Sequence, residues 1–178
     1  LVFLLTYMND GYSQKKPLVS VLLPVYDPEP QWLHKAVNSV MKQTYKNKEL
    51  IVVDDGSPTP VLDLFEYDVC DEETVTLIEQ ENNGFVAATN RAFREAEGRY
   101  VAPIAQDDYW ENDKLQKQMA AVKNGADAVF GQVHVVDENG DKIGKKKRFP
   151  EKNRLEHLFY GSYPIYESLL LDTKVVSE

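Results

Sequence analysis

A single cysteine, Cys70, and only three histidines among 178 residues leave several chemistries without their parts. One cysteine cannot close an intrachain disulfide. With no Cys-x-x-Cys pair and no Cys/His cluster, a zinc site of the usual kind cannot be assembled. The lone thiol fits a reducing compartment. Basic residues are in deficit too: 20 Lys and Arg stand against 29 Asp and Glu, a net charge of −9. A nucleic-acid binder needs a basic face to neutralise phosphates, so no nucleic-acid partner is expected. Long hydrophobic runs are missing. Leu1 to Leu5 is apolar for only five residues, against the roughly 20 that a spanning helix needs, and no basic segment precedes it. Finally, no glycine-rich turn and no P-loop lysine motif occur, which removes the backbone cradles that hold a pyrophosphate in dinucleotide and P-loop sites.

What is present reads as one soluble α/β domain. The chain is 43% hydrophobic and 28% charged, enough to bury a core unaided. Residues 1–16 read as an extension or linker, polar and turn-rich from Asn9, and 17–178 as the domain. Leu18 to Val25 is a short apolar run with the character of a buried strand. Asp27-Pro28-Glu29-Pro30 breaks it and opens a helix, since proline fits a first helical turn. Trp32, Leu33, Ala36, Val37 and Val40 then recur at helical spacing and give one inward face. Strands follow at 48–54, 74–80 and 100–105. Between the last two lies a helix with Phe85, Ala88, Ala92, Phe93 and Ala96 inward and Gly98 as its C-cap. Asn112 caps another helix carrying Leu115, Met119 and Val122. Ala126 to Val136 is strand-like and Glu138-Asn139-Gly140-Asp141 turns into a return arm. Leu155 to Tyr160 reads as helix and Ile165 to Leu171 as a last strand. Alternating strands and helices imply a parallel sheet covered on both faces, and the hairpin makes it mixed.

In such a sheet, ligands bind beyond the carboxyl ends of the strands. The first strand ends in Pro24-Val25-Tyr26-Asp27, the second in Asp54-Asp55-Gly56-Ser57, the fourth in Gln106-Asp107-Asp108. Carboxylates converging from separate strands repel unless a cation lies between them. A divalent metal carrying a diphosphate suits an all-oxygen site, with Mg²⁺ or Mn²⁺ as the ion.

Five ordered blocks resemble family 2 glycosyltransferases, which have the GT-A fold. They are Pro17-Leu18-Val19-Ser20-Val21-Leu22-Leu23-Pro24-Val25-Tyr26; Ser39-Val40-Met41-Lys42-Gln43-Thr44-Tyr45 with Glu49 to Ser57; Asn82-Asn83-Gly84 ahead of Asn90; Gly98-Arg99-Tyr100-Val101-Ala102; and Asp107-Asp108-Tyr109-Trp110 with Asp113-Lys114-Leu115. The likeness is close over residues 17 to about 124 and weaker beyond. It implies a three-layer α/β/α fold with a mixed, mainly parallel sheet, and transfer of a sugar from a UDP- or GDP-sugar to a carbohydrate or lipid-linked acceptor with inversion. Tyr26 would lie against the base and Asp55 would accept from a base ring N–H. Pro24, Asp27, Asn83, Gly84, Asn90 and Gln106 would line the nucleotide-sugar pocket, and Asp107 with Asp108 would hold the metal.

The chain also departs from the family pattern. Ala105 replaces the first aspartate of Asp-x-Asp, and Thr89 stands where arginine often precedes Asn90. The family's catalytic base, a carboxylate in a Glu-Asp pair, is expected beyond Glu178, and Glu167 and Asp172 do not match it. A non-catalytic nucleotide-sugar-binding module or pseudoenzyme is therefore the alternative to an enzyme. A nucleotidyltransferase would need a basic, glycine-rich loop near the first strand. The expected location is the cytoplasm, with peripheral contact at a membrane. A homo-oligomer is compatible with the sequence. The basic run Lys145-Lys146-Lys147-Arg148 reads as a solvated hairpin edge.

Overall fold

A computed structural model describes residues 16–65, 74–123, 125–137, 140–147 and 166–175. Cys70, Arg148, Ile165 and the helix expected at 155–160 lie outside them, as does most of the N-terminal linker. Four strands run in parallel: β1 (Val19–Val25), β2 (Lys48–Asp54), β3 (Val75–Glu79) and β4 (Tyr100–Pro103). They alternate with helices α1 (Pro30–Met41), α2 (Val61–Leu64) and α3 (Phe85–Glu95). After α4 (Lys114–Val122) come β5 (Ala128–Phe130), the hairpin β6 (Val133–Val136) and β7 (Lys142–Lys147), a 3-10 turn at Tyr166–Ser168 and β8 (Leu169–Asp172). The main sheet has the order β3-β2-β1-β4-β8-β5, and β8 is antiparallel to both of its neighbours. The hairpin forms a separate two-stranded ribbon.

Both sides of the sheet are buried, which explains the continuous apolar strands. Val19, Val21, Leu23 and Val25 of β1 pack with Leu33, Ala36, Val37 and Val40 of α1 and with Leu115 and Met119 of α4. Leu22, Ile51, Val53 and Val101 face the other way, against Ala88 and Ala92 of α3. The period of two along the strands thus sorts one sheet into two cores, giving the expected three layers.

Several local expectations are corrected. The segment 126–136 is two strands in different sheets, not one. The last strand begins at Leu169 rather than Ile165, because Tyr166–Ser168 coil into a 3-10 turn first. Phe85 opens α3 but points outward, 55% exposed. Asp113, not Asn112, precedes α4, and it makes no side-chain cap. Gly98 is no helix C-cap: α3 ends at Glu95 with Ala96 as cap residue. Its smallness serves a close approach instead. A Cβ on Gly98 would sit 2.7 Å from Ser20 N and 2.5 Å from Ser20 Oγ. That hydroxyl accepts from Gly98 N–H at 2.8 Å and donates to Glu49, whose carboxylate also takes Glu97 N–H at 2.9 Å.

Candidate functional site

The carboxyl edge of the sheet carries two linked arrangements. The first is built on Asp55, 3% exposed. Its backbone N–H reaches Val25 O at 2.8 Å, tying the ends of β1 and β2. One carboxylate oxygen accepts from Gln80 Nε2 at 2.7 Å and Asn83 N–H at 2.9 Å, the other from Gly84 N–H at 2.8 Å. Burial pushes this carboxyl up, but the donors from Asn83, Gln80 and Gly84 together outweigh it and hold it below the ordinary value. An ionised carboxylate offers about four lone-pair sites, so one remains for a ligand. Asp55 therefore shapes the Asn83-Gly84 loop whatever else it binds. Gly56 beside it has φ of 74°, and a Cβ there would meet Asn82 N at 2.9 Å. Asp54 accepts from Ser57 N–H and Val61 N–H at 2.9 and 3.0 Å, closing the turn.

The second arrangement surrounds Asp107 and Asp108. Gln106 binds the backbone of Tyr26 on both sides: Tyr26 N–H donates to Gln106 Oε1 at 2.8 Å and Gln106 Nε2 donates to Tyr26 O at 3.0 Å. The ends of β1 and β4 are thereby joined, and the Tyr26 ring is left 48% exposed. Asp27 follows in a left-handed conformation, φ 44°, its N–H on Ser57 Oγ at 3.1 Å. Non-glycine residues held this way gather at functional sites. Ser39 of α1 and Gln43 just after its end brace the acidic loop. Gln43 is fully buried; its Nε2 donates to Glu111 O (2.8 Å) and Ser39 O (3.1 Å), and its Oε1 accepts from Leu115 N–H (3.0 Å). Ser39 Oγ accepts from Trp110 N–H at 3.0 Å. The block from Ser39 to Gln43 is thus a buried support for the acidic loop.

Asp27, Gln106, Asp107 and Asp108 line one cleft of about 1330 Å³. Trp32, Trp110, Lys114 and Glu167 line it as well. Asp107 is exposed and Asp108 half-buried. Burial first, then the charges of Glu167 and Asp107, raises the Asp108 carboxyl to about 6. Lys114 lays its ammonium 3.7 Å from the centre of the Trp110 ring, and burial lowers it to about 7. Trp110 is packed, 6% exposed, with its indole N–H unpaired among the described residues. Trp32 is half-buried on the cleft lining, and the Lys35 ammonium lies 5.1 Å from its ring and 4.2 Å from that of Tyr109.

Other candidates stand apart. Pro24 is buried within β1, paired with Val53. Asn90 is exposed on α3. Asn83 and Gly84 belong to the Asp55 arrangement rather than to the acidic loop. Sequence reasoning passed over Gln43, Lys114 and Tyr166 as site supports and set Glu167 aside. The signal for Glu167 was its place just before a strand that the fold inserts beside β4.

A donor set of carboxylate oxygens suits a hard divalent cation. No group of three or more candidate ligand residues that could hold a metal occurs among the described residues. Asp107 and Asp108 offer the hard oxygen donors used where one or two carboxylates share such an ion with substrate phosphates and water.

Residues 20–173 match the family model described as glycosyl transferase family 2. The chain belongs to this family. Among relatives, the putative teichuronic acid biosynthesis glycosyltransferase TuaG of Bacillus subtilis is 35% identical over 138 residues, 76% of this chain and 54% of TuaG. The Escherichia coli UDP-Glc:alpha-D-GlcNAc-diphosphoundecaprenol beta-1,3-glucosyltransferase WfgD is 32% identical over 124 residues, 68% of this chain and 48% of WfgD. The chain spans about half the length of these curated relatives. Among solved structures, S. aureus TarS 1–349 in complex with UDP-GlcNAc aligns with a TM-score of 0.70 at 24% identity, covering 89% of this chain and 46% of that one. A mannosyltransferase from Pyrobaculum calidifontis, in complex with GDP-Man and Mn²⁺, aligns with a TM-score of 0.62 at 23% identity, covering 92% and 46%. The family 2 chain shares their GT-A fold, a mostly parallel sheet with helices on both faces. No helix among the described residues is long and apolar enough to cross a membrane.

Proposed function

We propose that this chain binds a nucleoside diphosphate sugar along the carboxyl edge of its sheet and takes part in moving the sugar to an acceptor hydroxyl. The observation that carries this is the braced Asp107-Asp108 loop opening on a large cleft in a family 2 chain. The nucleoside lies against Tyr26 and the Asp55-supported loop, where a lone-pair site of Asp55 meets a base ring N–H. Gln106 keeps the ends of β1 and β4 at a fixed spacing, so base and diphosphate sites stay in register. Asp107, assisted by Asp108, holds Mn²⁺ or Mg²⁺. Such an ion supplies Lewis-acid neutralisation of a leaving diphosphate. The donor is a UDP- or GDP-sugar: relatives and structural neighbours carry UDP-glucose, UDP-GlcNAc and GDP-Man in their names. The acceptor is a carbohydrate or a lipid-linked one, as in the name of WfgD, and the protein works at the cytoplasmic side, touching a membrane only through such an acceptor.

Titration of UDP and GDP by calorimetry, with Mn²⁺ and again with EDTA, tests the reading. Binding is expected only with metal, and Asp107→Ala abolishes the difference. Equal affinity in both buffers would remove the metal from the site. A donor-binding module without turnover is the second reading, favoured by Ala105 at the first position of the family's acidic motif. Release of the nucleoside diphosphate from donor in the presence of acceptors separates the two.

A further inference from the structure

None of the roles above uses the ribbon of β6 and β7. It forms a sheet of its own, and none of its described residues belongs to either hydrophobic core. Val135 and Ile143 pair across it, yet both are exposed, 40% and 47%. Two strands that bury so little are marginal by themselves, so the ribbon depends on where it touches the body. At its root Gly131 N–H donates to Ser168 O at 2.9 Å. At its turn Gly140, with φ of 85°, comes against α1 and the acidic loop. A Cβ there would lie 3.8 Å from Lys35 Nζ and 3.8 Å from Tyr109 Oη. The Lys35 ammonium is itself held over the rings of Trp32 and Tyr109. Between root and turn, Val133, Val135 and Lys142 line the same cleft as Asp107 and Asp108. The ribbon thus runs along the cleft from Ser168 to Lys35, fastened at its two ends.

We propose that this ribbon is a strap over the cleft, fastened at its turn by Lys35 and Tyr109, and that it swings aside to pass the sugar-bearing end of a substrate. The passage of sugar rests on the donor reading above; the fastening does not. The residues assigned to the nucleoside, Tyr26, Asp55, Asn83 and Gly84, stand outside the cleft lining. A strap there leaves the nucleoside end free and controls what lies beyond the diphosphate. Elements that open for ligands come from the low-stability end of a fold, where few apolar contacts resist. The exposed aliphatic pair and the lack of any core residue put the ribbon at that end. Its fastening is of the releasable kind: a cation on two aromatic rings, with a glycine turn against it.

Limited trypsinolysis reads the strap directly, because Lys142, Lys145, Lys146 and Lys147 all belong to β7. Mass spectrometry separates cuts there from cuts in the body at Arg91 of α3 and Lys117 of α4. Lys35→Met keeps the aliphatic stem and removes the ammonium. It is expected to speed cleavage within β7 about 3–10-fold, with the body cut at its former rate. Lys35→Arg keeps a cation on the rings and should restore slow cleavage. Equal β7 cleavage in Lys35→Met and the unsubstituted chain overturns the fastening. So does a matched rise at Arg91 and Lys117, which would mean general unfolding. In the unsubstituted chain, Mn²⁺ with UDP-glucose or GDP-mannose should protect β7 more than Mn²⁺ with UDP or GDP, by about 5-fold or more for the preferred donor. Equal protection by sugar nucleotide and bare diphosphate overturns the strap's part in sugar passage. If calorimetry finds that none of the four binds, the donor reading fails and sugar passage with it, while Lys35→Met still decides the fastening.

Discussion

Gln43 shows how much one buried amide can hold. Its three hydrogen bonds join α1 to the loop that carries Asp107 and Asp108 and to the start of α4. Gln43→Ala strands those partners, so a loss of about 2–4 kcal/mol in stability is expected, read as a lower urea midpoint. Asp55 is the second case. Asp55→Ala releases the 83–84 loop and should weaken nucleoside diphosphate binding by about 1–3 kcal/mol; unchanged affinity by calorimetry would remove Asp55 from the site. Its carboxyl is held below its ordinary value, as is that of Asp172, where Lys174 N–H and the Arg99 side chain outweigh burial. Folded values lie below the unfolded one of about 3.9, so both contribute stability above that pH and lose it as the pH falls further. A urea series from pH 6 to pH 3 should show the fall, and Asp172→Asn should flatten it. Asp108 has the opposite sign. Folded, it keeps its proton to about 6; unfolded, it releases it near pH 3.9. Its ionisation therefore penalises the fold increasingly from pH 4 to 6, then constantly. In metal-free buffer Asp108→Asn should raise Tm at pH 7, by the equivalent of about 1 kcal/mol once solvent screening is allowed for. The gain should shrink towards pH 4, and a pH-independent gain would contradict the account.

At the scale of elements, the boundaries of β1, β2 and β3 were legible to within a residue; for β1 and β2 the reason is that a strand buried on both faces has no alternation to misread. Pro30 marked the start of α1 as expected, at a helix position that needs no N–H donor. What was not legible depended on contacts distant in sequence. Gly98 resembles a helix stop locally, yet its neighbour is Ser20, on the adjoining strand β1. Gly98→Ala would push a methyl into the Ser20 backbone, so β1 and β4 must part. A loss of about 2 kcal/mol or more is expected by thermal unfolding, although helix propensity alone favours alanine. Phe85 follows the helical period but opens α3 and meets Tyr166 edge-on, a partner distant in sequence. The split of 126–136 was hidden for the same reason: β5 leaves for the main sheet because β8 is there to pair with it.

For the molecule as a whole, the carboxyl-edge placement of the acidic loops followed from topology, and the family blocks singled out Asp55, Asp107 and Asp108 as candidates, which the structure places at that edge. The supports of the site were less visible. Glu167 approaches Asp108 only after β8 has returned to pair with β4, a juxtaposition that no local pattern encodes. That returning strand carries a consequence for biosynthesis. In the sheet order, β8 lies between β4 and β5, although it leaves the ribosome after both. Until residue 172 has emerged from the exit tunnel, β4 is an open edge in a nascent chain and β5 has no strand to join. The parallel half can pair early, since the ladders joining β1, β2, β3 and β4 use no strand downstream of residue 103, although one face still waits for α4. Stalling synthesis between β5 and β8 should thus produce a half-finished sheet that engages holdase chaperones, and release of the last strand should free it.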